Sequence, residues 1–493
     1  MFNNRHWVFQ QDSAPAHRAK STQDCENLRE IDFIRREDWP SSSPDLTPLD
    51  YKIWQHLEEK ACSKHHPNLE SHKASLIKAA ADIDMDLVRA AIDDWPRRLK
   101  ACIQNHGATV DFVHGDRRKM WSTLLGVVAL ASLSAACRPS VTTVSGSHAP
   151  ATVCSGALIF SDEFNEFDLE KWQHENTLAG GGNWEFQYYN NNRTNSFTQH
   201  GILHIRPSLT SDQFGIDFLS NGNLNVEGGA PADRCTNPAW FGCERTGTPN
   251  NVLNPIKSAR LRTVNSFSFR YGIVEVRAKM PAGDWLWPAI WLMPAYNTYG
   301  TWPASGEIDM MESRGNRNMF SNGVHIGTQE AGSTLHYGPY PALNGWDRAH
   351  WLRRNPNGYD RGFHLYQLEW TPNFIRFAID NVELGRVTPP NGGFWEFGGF
   401  NRHNVENPWR FGSRMAPFDQ KFYLIMNLAV GGTNGFFPDG VSNPSPKPWW
   451  NGSPTASTDF WNARNNWLPT WNLNVNDGRD ASLQVDHVRI WAL

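Results

Sequence analysis

The run Gly306-Glu-Ile-Asp-Met-Met-Glu-Ser313 constrains this chain more than any other segment, because it sets three acids, Glu307, Asp309 and Glu312, among apolar residues. Buried carboxylates cost free energy unless a partner or a task offsets them. Alternate residues of a β-strand share a face, so Glu307 and Asp309 point together. Glu312 has the wrong parity for that face unless one Met is an extra residue. A β-bulge there would reset the alternation and bring all three acids to one wall of a cleft. A surface strand with three solvated acids fits poorly with Ile308, Met310 and Met311, or with Trp302 and Pro303 just upstream. Two carboxyls flanking a scissile bond are the working groups of glycoside hydrolysis, and a retaining site holds them about 5–5.5 Å apart.

At 493 residues the chain exceeds what one hydrophobic core usually organises, so two or more units are expected. The formal charge of −4 is too small to name a partner by bulk electrostatics. The text changes character near residue 150. Before it, stretches such as 69–91 carry helix-like spacing. After it, short alternating runs broken by Gly, Asn and Pro predict an all-β sandwich or barrel. Most of the 23 Trp fall in this second part. An indole offers a flat apolar face and one N–H, suited to stacking on sugar rings as well as to core packing. Trp285, Trp287 and Trp291 share strand parity, and Ala289 leaves a gap wide enough for a pyranose ring between the last two.

Between the two parts lie Arg117, Arg118 and Lys119, then an apolar run ending in small residues at Ser134 and Ala136. This is the anatomy of a secretory signal, and it is shorter than the ~20 residues of a membrane span. Segment 113–136 is therefore read as an internal signal-like segment, with Met120 as the natural start of a secreted form. An extracellular location follows if translation or processing uses it, and no stable membrane association is expected. Cleavage after Ala136 would leave Cys137, Cys154, Cys235 and Cys243, an even set suited to two disulfides. Three connectivities are open; local spacing favours Cys137–Cys154, within a linker 137–157, and Cys235–Cys243. Glycosylation sequons stand at Asn192 and Asn451.

Upstream, Phe9-Gln-Gln-Asp-Ser-Ala-Pro-Ala-His17 and Trp39-Pro-Ser-Ser-Ser-Pro-Asp-Leu-Thr-Pro-Leu-Asp50 resemble the C-terminal part of a mariner/Tc1-type transposase, over residues 1–112. The resemblance implies a small α/β fragment in which Asp12 and Asp50 would hold divalent metal for phosphoryl transfer. That family also uses an earlier third Asp and DNA-binding helices, which this sequence lacks, and the charge gives no basic footprint. The fragment is expected to be inactive and to bind no nucleic acid.

Residues 158–493 read as one domain. Phe160-Ser-Asp-Glu-Phe164 opens it, and the alternating run Leu483-Gln-Val-Asp-His-Val-Arg-Ile-Trp491 closes it, expected to pair beside the first strand. Long loops are expected at 211–257 and 338–363. Five motifs stand in order: Gly180-Gly-Gly-Asn-Trp-Glu-Phe-Gln-Tyr-Tyr189, Asp284-Trp-Leu-Trp-Pro-Ala-Ile-Trp291, the acid run, Ser333-Thr-Leu-His-Tyr-Gly338 and Asn427-Leu-Ala-Val-Gly-Gly432. With them the chain over 137–493 resembles glycoside hydrolase family 16, in particular arthropod β-1,3-glucanases and the Gram-negative-bacteria-binding proteins. The resemblance implies a mainly β fold, a concanavalin-like β-jelly-roll sandwich with a groove across one sheet. It implies Glu307 as nucleophile, Glu312 as general acid/base, and Asp309 between them setting their protonation. Trp285, Trp287 and Trp291 would line the groove, with His336, Tyr189, Asn195, Arg260 and Asn427 as substrate contacts. No cofactor is required. Some members hold a structural calcium, for which Asp486 matches the carboxylate, with backbone oxygens near Glu163 and Gly201.

The principal expectation is a secreted, monomeric endo-β-1,3-glucanase, hydrolysing laminarin or fungal-wall glucan through a covalent glycosyl-enzyme. The alternative is a non-catalytic β-1,3-glucan recognition protein of innate immunity. Such binders carry a replaced acid or an added N-terminal sugar-binding module. All three acids stand here and no such module is read before Cys137, which weighs for the enzyme.

Overall fold

The alternation in the second part of the sequence becomes two antiparallel sheets. The computed structural model describes residues 137–493, together with the backbone of Phe9–Gln10 and Phe33–Ile34, which pair as short parallel strands. The chain divides into two units, Met1–Leu130 and Ala131–Leu493. The transposase-like motifs with Asp12 and Asp50, and the signal-like segment 113–136, lie outside the described residues.

Six strands of the first sheet carry the groove: Arg260–Arg262 (β1), Leu286–Pro294 (β2), Glu307–Ser313 (β3), Glu330–His336 (β4), His350–Arg354 (β5) and Phe422–Val430 (β6). They lie in the order β5-β4-β3-β2-β6-β1, each neighbour antiparallel to the next. In β2 the even positions Leu286, Ile290 and Leu292 are fully buried against the second sheet, so the odd positions face the other way. The second sheet runs Val382–Val387, Ile375–Ile379, His364–Trp370, Gly272–Lys279, Leu483–Trp491, Ile202–Ile205, Ser196–Gln199. Its strand Gly272–Lys279 buries Val274, Val276 and Ala278 and half-exposes the residues between. The result is the mainly β sandwich that the alternation predicts.

Several tryptophans among the described residues are structural. Trp172, Trp285, Trp370, Trp467 and Trp471 are fully buried, each removing about 150–250 Å² from water.

The opening and closing segments of the domain are clasped together. Leu158–Asp162 pairs with Leu483–Trp491, as the closing alternation predicts. Gly156 N–H donates to Ala492 O (3.0 Å), Ala492 N–H to Ala157 O (2.8 Å), and Leu493 N–H to Thr142 Oγ1 (2.9 Å). The disulfide Cys137–Cys154 closes the same corner, and Cys235–Cys243 ties a distant loop, the pairing that local spacing favours.

Candidate active-site groove

The bulge required by the acid run is present. On one side Trp291 pairs with Asp309 and Ile290 with Met311, leaving Met310 without a partner on β2. On the other side the register slips between Asp309 and Glu312, so that two methionines oppose Ser333. Ser333 Oγ donates to the Met310 carbonyl (2.7 Å), holding the displaced peptide. The extra residue resets parity, and Glu312 joins Glu307 and Asp309 on the face away from the core.

Two rows of cross-strand partners follow. One reads Arg260, Asn427, Ala289, Glu312, Gly332; the next reads Arg262, Ile425, Trp291, Asp309, Thr334. The small residues Ala289 and Gly332 flank Glu312, so the space over this carboxyl is not filled by its neighbours in the row.

Each acid is held differently. Trp302 Nε1–H donates to Glu307 Oε2 (2.8 Å), and Trp287 Nε1–H donates to Glu312 Oε1 (3.0 Å). Burial raises the pKa of Glu312 and, with the charge of Glu307 added, lifts that of Asp309 well above the usual carboxylate range. Asp309 is therefore harder to ionise than an ordinary aspartate. His336 Nε2 lies 3.2 Å from Asp309 Oδ2 and 3.9 Å from Glu307 Oε1, and the Asn344 amide meets its Nδ1 at 2.8 Å. The approach to Asp309 Oδ2 is ionic, without hydrogen-bond geometry.

Burial alone would lower the His336 pKa, but Asp309, Glu307 and Glu312 outweigh it and push it up from 6.5 to about 9. The folded state therefore holds this proton more tightly than the unfolded chain does. The stabilisation is complete below pH 6.5 and is lost as pH rises through about 9. Melting temperatures are expected to fall across that window in the wild type and to fall less in His336→Asn. Equal slopes in the two proteins would refute the assignment.

Arg260, Tyr189, Asn427 and Trp291 form one connected cluster. Tyr189 Oη accepts from Arg260 Nη2 (3.3 Å) and Asn427 Nδ2 (3.2 Å), and Asn427 Oδ1 accepts from Trp291 Nε1–H (2.7 Å). Tyr189 and Asn427 are buried beneath the half-buried Trp291, so they fix its indole.

Three expectations need correction. Trp285 does not share the groove face: it precedes β2 with a left-handed φ of 69°, which breaks the parity and turns its ring into the core against Phe437 and Trp449. Asn195 is fully buried and spends its amide on Arg206 O, Ser208 Oγ and Lys257 O, so it cannot reach a substrate. Trp287 faces the groove, but Phe436 stacks on its ring at 3.9 Å and 6°; its N–H, not an open face, is what it contributes.

Of the expected calcium donors the one carboxylate is already engaged: Asp486 Oδ2 is 2.9 Å from Arg277 Nη1 and 2.9 Å from His487 Nδ1.

Trp302, Phe436 and Asn344 are site residues that the sequence did not single out. Trp302 stood in view as a flank of the acid run. Phe436 and Asn344 come from loops with no motif to mark them. Of the two sequons, Asn192 is exposed, whereas Asn451 is half-buried with its amide donating to Phe437 O (3.1 Å).

Residues 248–395 match the family described as Glycosyl hydrolases family 16. The chain is 50% identical over 341 residues to a beta-1,3-glucan-binding protein from Penaeus monodon, covering 68% of this chain and 90% of that protein. It is 36% identical over 369 residues to beta-1,3-glucan-binding protein 1 from Galleria mellonella, covering 72% of this chain and 67% of that protein. Among solved structures, the laminarinase from Rhodothermus marinus is similar at 27% identity and a TM-score of 0.42, covering 69% of this chain and 98% of that one.

Proposed function

This chain belongs to glycosyl hydrolases family 16, and from that premise we propose that its groove binds β-1,3-glucan, as its relatives' names say of them. One observation carries the reading: the row Arg260–Asn427–Ala289–Glu312, with Trp291 beside it. Here the Glu312 carboxyl and the Trp291 indole stand on either side of the small Ala289, so an aromatic face and a polar group flank room for a sugar ring. Asn427 holds that indole in place, with Tyr189 and Arg260 behind it. In this reading the protein is a secreted recognition protein of innate immunity, with Cys137 at the start of its mature form.

A second reading is favoured by the acids themselves. A recognition site has no need of three carboxyls aimed by a bulge. A retaining hydrolase does: Glu307 would attack the anomeric carbon, and Glu312 would give its proton to the departing oxygen. Water, deprotonated by Glu312, would then release the sugar from Glu307. Asp309 and His336 would hold the proton balance between the two steps.

Sedimentation with insoluble β-1,3-glucan, alongside reducing-sugar release from laminarin, tests both. Wild type is expected to co-sediment, and Trp291→Ala to lose about tenfold or more in affinity. Failure of the wild type to co-sediment would overturn the binding reading. Sugar release that disappears in Glu307→Gln, with binding kept, would establish the hydrolase as well.

A further inference from the structure

A cavity of 970 Å³ lies beside the groove, away from the acid pair. Its walls come from residues 184–186, from the paired strands Asn223–Asn225 and Glu244–Thr246, and from residues 451–457. The loop between those two strands carries the disulfide Cys235–Cys243. Its volume sits at the upper end of the roughly 300–1,000 Å³ that ligand sites occupy.

Two aromatic side chains are displayed on these walls, Trp184 with the Arg245 guanidinium 5.9 Å from its ring centroid. Trp184 is 48% exposed and Phe241 is 74% exposed. Both take left-handed backbone conformations, with φ of 52° and 59°, which a residue with a Cβ adopts only where the surroundings impose it. Arg245 is the opposite case, a mostly buried cation. It donates to Asn254 Oδ1 (2.8 Å) and to the Trp240 carbonyl (2.8 Å), which uses two of its five N–H groups. Burial lowers its pKa to about 10, with no acid opposing the shift. Glu185 and Glu244 also line the space. Acids and a cation together disfavour a phosphate or sulfate and suit an uncharged ligand rich in hydroxyls.

Glu185 borders the cavity and the groove at once. Its Oε2 accepts from Gln187 Nε2 (2.6 Å) and Tyr189 Oη (3.3 Å), and lies 3.9 Å from Arg260 Nη2, at one end of the glucan row. We propose that this cavity is a second carbohydrate site, taking the distal glucosyl residues of the chain whose inner part lies along the Arg260–Glu312 row. The inference rests on the glucan-binding reading above.

Calorimetric titration in a Glu307→Gln background, with laminaribiose and laminarihexaose as probes, tests it. The hexaose is expected to bind at least tenfold more tightly than the biose. Adding Trp184→Ala should remove most of that gain, leaving biose affinity and melting temperature unchanged; Arg245→Gln should act in the same direction. Hexaose binding that survives both substitutions would overturn the second site and leave the groove reading standing. Loss of biose affinity in Trp184→Ala would also overturn it, placing that residue in the groove. Absence of binding by either probe to the parent protein would instead sink the glucan reading.

Discussion

Deleting Met310 should destabilise the domain by about 2–5 kcal/mol, because a buried Met side chain leaves the core. With the extra residue gone, β3 regains simple alternation and Glu312 keeps the parity of Glu307 and Asp309: Met311 alone then opposes Ser333, between the pairs Asp309–Thr334 and Glu312–Gly332. What disappears is the local bend and twist of the bulge, which sets how Glu312 is presented to Glu307. The melting temperature should fall, and in the hydrolase reading glucan cleavage should fall with it although the acid stays in the groove. Met310→Leu conserves volume and residue count and should cost under about 1.5 kcal/mol. A deletion variant with wild-type stability and activity would show that the bulge neither packs the core nor aims Glu312.

Glu312→Gln should lower laminarin cleavage by about 10²–10⁴-fold while leaving glucan binding nearly unchanged. The amide keeps an oxygen for the Trp287 N–H but has no proton to give to the leaving group. In the wild type, burial raises the pKa of Glu312. Its proton is therefore held to higher pH than an ordinary glutamate would hold it, and in the hydrolase reading cleavage should fall on the alkaline side as it is lost. The Glu312→Gln variant has no such limb, so its residual rate should not show that alkaline decline. A wild type that binds glucan but releases no sugar at any pH would leave recognition as the sole function and the acids as parts of a binding wall.

The acid motif was legible because parity is a hard constraint. Three acids at 307, 309 and 312 cannot share a face in a regular strand, and the single remedy is an extra residue between the last two. The disulfides were legible through local spacing. The same parity argument failed at Trp285, where one residue in the left-handed region sits just before β2 and cancels the alternation. Asn195 failed for another reason. A polar residue near a motif looks alike in sequence whether its amide meets a substrate or three backbone and side-chain acceptors. Phe436, which covers Trp287, reaches the site from a loop more than a hundred residues away in sequence, and periodicity carries no information about such contacts.

The clasp between residues 137–157 and the last two residues has a use beyond stability. Neighbouring termini are the condition for circular permutation. A short linker could join 493 to 137, with the chain reopened at the exposed turn of Asn322 and Gly323. Both sheets would keep their strand order, and a reporter or surface anchor could be attached at the new ends instead of at the clasped corner.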